Sequence, residues 1–226
     1  MGANDQQRGK LFSKISKQIV GAIKAMNGET DTSLNHYLAS ALHQAKVAQM
    51  PKHTLQDAIK RATSPKEQED FKIIRFEGLS PGGVACVVEC MVSNSAKTNA
   101  EVKSIFKKQK GTMGPVEYLF QHKGTVIYGK GTTNHTLAEM ADSALEHEID
   151  DFIELEDEIQ IFCGINDTNS IQTALAAKGY EIKEFYSGFF PLDQIELNEA
   201  DSASFSTFLE AIENQDEVVN VYHNAK

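Results

Sequence analysis

The chain has 226 residues, 41% apolar and 24% charged, a balance that suits a globular protein with one large core or two to three small ones. There is no run of about eighteen apolar residues, the start MGANDQQRGK is polar with Gln6 where a myristoylation motif wants Ser or Thr, and the three cysteines are irregularly spaced; no membrane span, signal peptide, lipid anchor or disulfide framework is expected. The net charge of −10 is divided: residues 1–64 carry nine Lys/Arg against four Asp/Glu, residues 65–124 nine against seven, and residues 125–226 four against twenty-one, a pattern that fits either a polyanion-facing end with the other end solvated or facing a basic protein partner, or two unrelated solvated surfaces.

Leu11, Ile15, Ile19 and Ile23 recur four apart with Phe12 beside them, which predicts an amphipathic helix over 8–27 that stops at Asn27-Gly28. Lys10, Lys14, Lys17 and Lys24 fall mostly off that stripe and form a basic, exposed side. Leu34, Leu38, Ala41, Leu42 and Ala45 mark a second helix over 32–49, and a third starts near Pro51, which a first helical turn tolerates. TSPKEQED then reads as a charged linker. From Phe71 the period becomes two. Strands over 71–78 and 83–92 flank SPGG, a type II turn in which Pro81 presets one φ and Gly82 or Gly83 takes the positive one. A helix over 98–110 opens with Thr98 and Glu101 in capping-box spacing, and PVEYLF is the next strand. Residues 125–190 follow the order strand, helix, strand, strand, helix, strand of a ferredoxin-like βαββαβ unit. After Pro191 a short strand, a helix at 201–214 and a strand at 217–223 are too few for a domain and should return to the sheet begun at residue 71. The expected fold is α+β in three domains: helical 1–69, split α+β 70–124 with 191–226, and an inserted acidic ferredoxin-like domain 125–190.

Chemistry is sparse. The Gly-Gly pair leads into a strand rather than a helix N-terminus, so it is no phosphate cradle, and neither a Walker nor a GxGxxG pattern occurs. Cys86 and Cys90 share one strand face with Val84 and Val88, about 13 Å apart, too far for a clamp or a disulfide. The seven histidines are scattered, His36 and His43 two turns apart and His223 on the last strand, and EIDDFIELEDE reads as a solvated acidic edge. No enzyme activity, cofactor or metal is expected. What remains is basic: Arg8, Lys10, Lys14 and Lys17 on the first helix, Lys52 at the start of the third, and Lys97, Lys103, Lys107 and Lys108 with Lys110 after the second strand. Lysines of two helices that converge on one surface would track a nucleic-acid backbone. Neither an RNP nor a helix-turn-helix pattern is evident, and charge leaves RNA and DNA both open.

In order along the chain, RGKLFSKI, MPKHTLQDAIKRA, FEGLSPGGVACVVEC, NSAKTNAEVKSIF, VEYLF and VVNVYHN resemble the YebC/PmpR family, which includes the mitochondrial translational activator of cytochrome c oxidase. The resemblance implies a helical domain, a split middle domain and an inserted third, with no enzyme activity. It also implies either a ribosome-associated translation factor bound to ribosomal RNA or mRNA, or a DNA-binding transcriptional regulator, and reads the Pro-Gly-Gly stretch as a structural hairpin. The family's basic His-Ser-Lys-Trp arm does not precede NDQQRGK, and its Asn-Arg-Asn-Arg-Thr run is here Asn94-Ser95-Ala96-Lys97-Thr98, with one arginine lost and the other softened to lysine. With the shorter loop KGTMGP, these departures suggest a divergent, mitochondrial-matrix member, with a bacterial cytoplasmic one as the alternative; a monomer is expected separately from them.

Overall fold

The computed structural model describes residues 3–64, 70–132 and 134–226, with side chains from Gln7 onward; most of the expected linker, at 65–69, lies outside them. The chain forms two compact units, Met1–Phe120 with Pro191–Lys226, and Gln121–Phe190. None of the described helices is long and apolar enough to cross a membrane.

The first unit opens with three helices, α1 (Ala3–Ala25), α2 (His36–Val47) and α3 (Lys52–Ala62). On α1 the buried stripe begins at Ile15 and runs through Ile19, Val20, Ala22 and Ile23, whereas Leu11, expected on it, is exposed. α2 starts later than its apolar pattern suggests because buried Asn35 caps it, accepting from Leu38 N at 3.0 Å while its Nδ2 donates to the carbonyls of Ala22 and Glu29. That capping leaves Leu34 outside the helix and exposed.

A four-stranded antiparallel sheet follows in the order β3-β1-β2-β8, from β1 (Lys72–Leu79), β2 (Ala85–Val92), β3 (Thr112–Met113) and β8 (Val218–His223). β1 and β2 meet at the hydrogen-bonded Ser80–Gly83 turn, Gly82 taking φ 80 and ψ 4 as a type II turn requires. β2 is buried at every position because both of its faces are covered. Val84, Cys86, Val88 and Cys90 face α4 (Ser95–Lys108) and α7 (Glu199–Glu213), whose Phe106 and Phe208 meet edge to face at 4.9 Å. Met91 on the alternate face joins the α1–α3 cluster with Phe71, Ile73 and Val219. Gly21 lets α1 come this close, since a Cβ there would collide with the Met91 thioether.

Three further expected elements differ. α4 begins at Ser95 rather than 98, because Asn94 is the cap and Thr98 is buried inside the helix. PVEYLF forms a 3₁₀ turn at Glu117–Leu119, where the Glu77 carboxylate accepts from Val116 N and Glu117 N at 2.7 Å each and bends the chain. The short strand expected after Pro191 is one parallel bridge, Ile195 to Ala225.

The second unit is a ferredoxin-like βαββαβ fold. β4 (Phe120–Gly129), α5 (Leu137–Leu145), β5 (Asp151–Glu154), β6 (Glu158–Cys163), α6 (Thr168–Ala177) and β7 (Glu181–Pro191) build a sheet in the order β5-β6-β4-β7. Its core joins Val126, Tyr128, Ile159 and Ile161 to Met140 and Leu175 of the two helices. Thr136 and Glu139 form a reciprocal capping box at the start of α5.

Candidate nucleic-acid interface

The lysine-bearing helix α4 is held at both ends. Asn94 accepts from Lys97 N at 3.1 Å, and Thr98 Oγ1 donates back to the Asn94 carbonyl. At the far end Gly111 N donates to Phe106 O and Lys110 N to Lys107 O, a Schellman closure in which Lys110 occupies the left-handed position at φ 61. Thr98, Val102 and Phe106 bury one face. The exposed side therefore presents Lys103 and Lys107 at helical spacing, with Lys108 beside them and Lys110 in the turn that closes the helix, all exposed and without an ion pair to any described residue. Lys107 and Lys108 lie in the last turn, where the helix dipole favours cations. Lys97 is exposed at the other end and pairs loosely with Glu101 at 3.8 Å.

The α1 cations are arranged differently. Lys10 is exposed, and Arg8 lies over the Phe12 ring at 5.7 Å. Lys14 is half-buried and donates to the Glu213 carbonyl; burial lowers its pKa, which the nearby Asp216 and Glu213 only partly offset. Lys17 binds the Asp216 carboxylate at 2.6 Å, and that hydrogen bond raises its pKa. Both lysines thus tie α1 to the turn between α7 and β8 rather than standing free. Lys52 is exposed at the first position of α3.

The single convergent surface expected from α1 and α4 is not what the fold builds: α1 packs on one face of the first sheet and α4 on the other. Periodicity shows which side of a helix is polar, not which side of a sheet the helix covers. A cleft of about 270 Å³ opens beside Lys17 and Arg61, but Asp216 and Glu217 line it too, so it offers phosphate no uncompensated positive field.

Two features escaped sequence reasoning. Glu89, the lone carboxylate between Cys86 and Cys90, points to the opposite face from both and is only 3% exposed. Its oxygens accept from Tyr37 Oη at 3.2 Å, Arg75 Nε at 3.2 Å and Asn220 Nδ2 at 3.0 Å, joining α2, β1 and β8. An acid inside a continuous apolar strand is the signal that partners must exist. Asn224 is the second: its side chain accepts from Ala85 N at 2.8 Å and fastens the C-terminus to the start of β2. The cysteines are core groups, burial pushing the Cys86 and Cys90 thiols up to about 12. Among the described residues no group of three or more His, Cys, Asp and Glu could hold a metal ion.

Two family models match in succession: the TACO1/YebC protein N-terminal domain over residues 1–65, and the TACO1/YebC second and third domain over residues 71–225. A protein of Clostridium beijerinckii named probable transcriptional regulatory protein is 33% identical over 228 residues, covering 100% of this chain and 91% of its own length. One from Trichlorobacter lovleyi with the same name is 34% identical, covering 99% and 90%. Among solved structures, a conserved hypothetical protein of Aquifex aeolicus superposes with a TM-score of 0.73 at 30% identity, over 98% of this chain and 91% of its own.

Proposed function

We propose that this chain, which belongs to the TACO1/YebC family, is a non-catalytic regulator of gene expression that binds DNA backbone through the lysine face of α4. The observation that carries the reading is Lys103, Lys107 and Lys108 on a helix fixed at both ends, with Lys110 in its closing turn, all exposed and without an ion pair to any described residue. The names of the bacterial relatives favour DNA as the ligand, and their sources favour the bacterial cytoplasm over the mitochondrial matrix. Lys97 extends the contact, whereas Lys14 and Lys17 serve the fold first.

A translation factor on ribosomal RNA or mRNA is the second reading, favoured by one feature of the same face: lysines alone contact phosphate and read no base edges, so the ligand needs no sequence. Duplex DNA and RNA titrated in parallel over a salt series test both. DNA binding should weaken steeply with salt, and Lys103→Glu with Lys107→Glu should lower the slope of log K against log salt by about two. A slope unchanged by that pair removes α4 from the interface, and RNA binding stronger than DNA binding at every salt concentration transfers the assignment to the second reading.

A further inference from the structure

The sheet of the second unit is covered by its own helices on one face only, where Val126, Tyr128, Ile159 and Ile161 meet α5 and α6. Pairing of Thr125 with Phe162 and of Ile127 with Gln160 sends the alternate side chains to the other face, and Ile153, opposite Gln160, joins them. β7 completes a platform there: Phe190 meets the Phe162 ring edge-on at 5.1 Å and lies 6.4 Å from Tyr186 at an interplanar angle of 28°. The three rings are half-buried and Ile153 is exposed.

Aromatic side chains on such a sheet can stack either the bases of single-stranded RNA or the guanidinium planes of arginine. The surroundings decide between them. Residues 121–190 hold thirteen Asp and Glu against four Lys and no Arg, a field that repels phosphate and draws cations. Carboxylates also stand at the platform itself. Asp151 pairs across from Phe162, Glu158 closes the β4–β6 register opposite Gly129, and Glu184 is close enough to Tyr186 to add to the burial that raises the Tyr186 pKa. Lys183, beside Gly129, is already bound to Glu181 at 2.9 Å.

We propose that this carboxylate-rimmed aromatic face docks an arginine-rich segment of a partner protein, guanidinium planes lying on Phe162, Tyr186 and Phe190 and their N–H forks reaching Asp151, Glu158 and Glu184. Arginine suits it better than lysine because its planar, weakly hydrated head stacks and forks at once. The inference does not rest on the α4 reading, since it concerns another surface of opposite charge.

The full chain titrated at low salt with fluorescein-labelled arginine-glycine and lysine-glycine repeat peptides, and with a labelled oligouridylate, tests it by anisotropy. The arginine peptide should bind about fivefold tighter than the lysine peptide. Tyr186→Ala with Phe190→Ala should weaken it about tenfold. Asp151→Asn with Glu158→Gln and Glu184→Gln, which removes charge without removing rings, should weaken it about fivefold. No binding of the arginine peptide, equal affinity for both peptides, or affinity indifferent to the carboxylate variant overturns the proposal, as does oligouridylate binding that the ring variant abolishes.

Discussion

Glu89 has three partners, as a carboxylate buried in an apolar strand must. Glu89→Ala removes the acceptor that the Tyr37 hydroxyl, the Arg75 Nε and the Asn220 amide share and should cost about 2–3 kcal/mol, seen as a lower urea midpoint at unchanged m. Glu89→Gln keeps the shape and should cost less. The neighbouring thiols carry a pH dependence of definite sign. Burial lifts the folded pKa of Cys86 and Cys90 from 9.0 to about 12, so their contribution is complete below pH 9 and is lost as the unfolded chain ionises, between pH 9 and about 12. Alkaline denaturation curves for the double Cys→Ala variant should lack that part of the slope. At pH 8 a thiol reagent should label both cysteines only as fast as the core opens.

At the scale of elements, α4 separates stability from binding. Asn94→Ala removes the cap and should cost about 1 kcal/mol while leaving the Lys103–Lys110 row in place. Lys110→Gly should raise stability by up to about 1 kcal/mol, because glycine accepts φ 61 without strain, yet weaken nucleic-acid binding by removing a cation. Gly21→Leu should destabilise by about 2–3 kcal/mol despite better helix propensity, since the added side chain has to displace Met91 and Phe71; a thermal melt checks it. Periodicity made α1, the SPGG turn and the βαββαβ order readable from residues near in sequence. It missed the start of α4 because two caps compete there, and Asn94 wins by placing Thr98, whose hydroxyl can return to the Asn94 carbonyl, inside the helix. It read PVEYLF as a strand because the bend comes from Glu77, about forty residues away in sequence. The α4 lysines were visible in composition; that Lys14 and Lys17 were occupied was not, because their partners lie 199 residues along the chain.

For the molecule as a whole, Leu192 N donates to Leu119 O at 2.9 Å, so the two strands of chain that bracket the second unit leave the first side by side. Replacing Gln121–Phe190 with a short Gly-Ser linker should leave a cooperatively folding first unit with its α4 binding intact, as monitored by circular dichroism and the same salt titration. The clasp of Lys14 and Lys17 on Glu213 and Asp216 reaches further than electrostatics. A helix made early docks against a turn that follows 199 residues later, so after Phe71, Ile73 and Met91 have covered part of the N-terminal bundle, the part that meets Glu213, Asp216 and Val219 stays uncovered until those residues emerge. Nascent chains arrested before Glu213 should be more open to proteases at α1 than chains that extend past Val219.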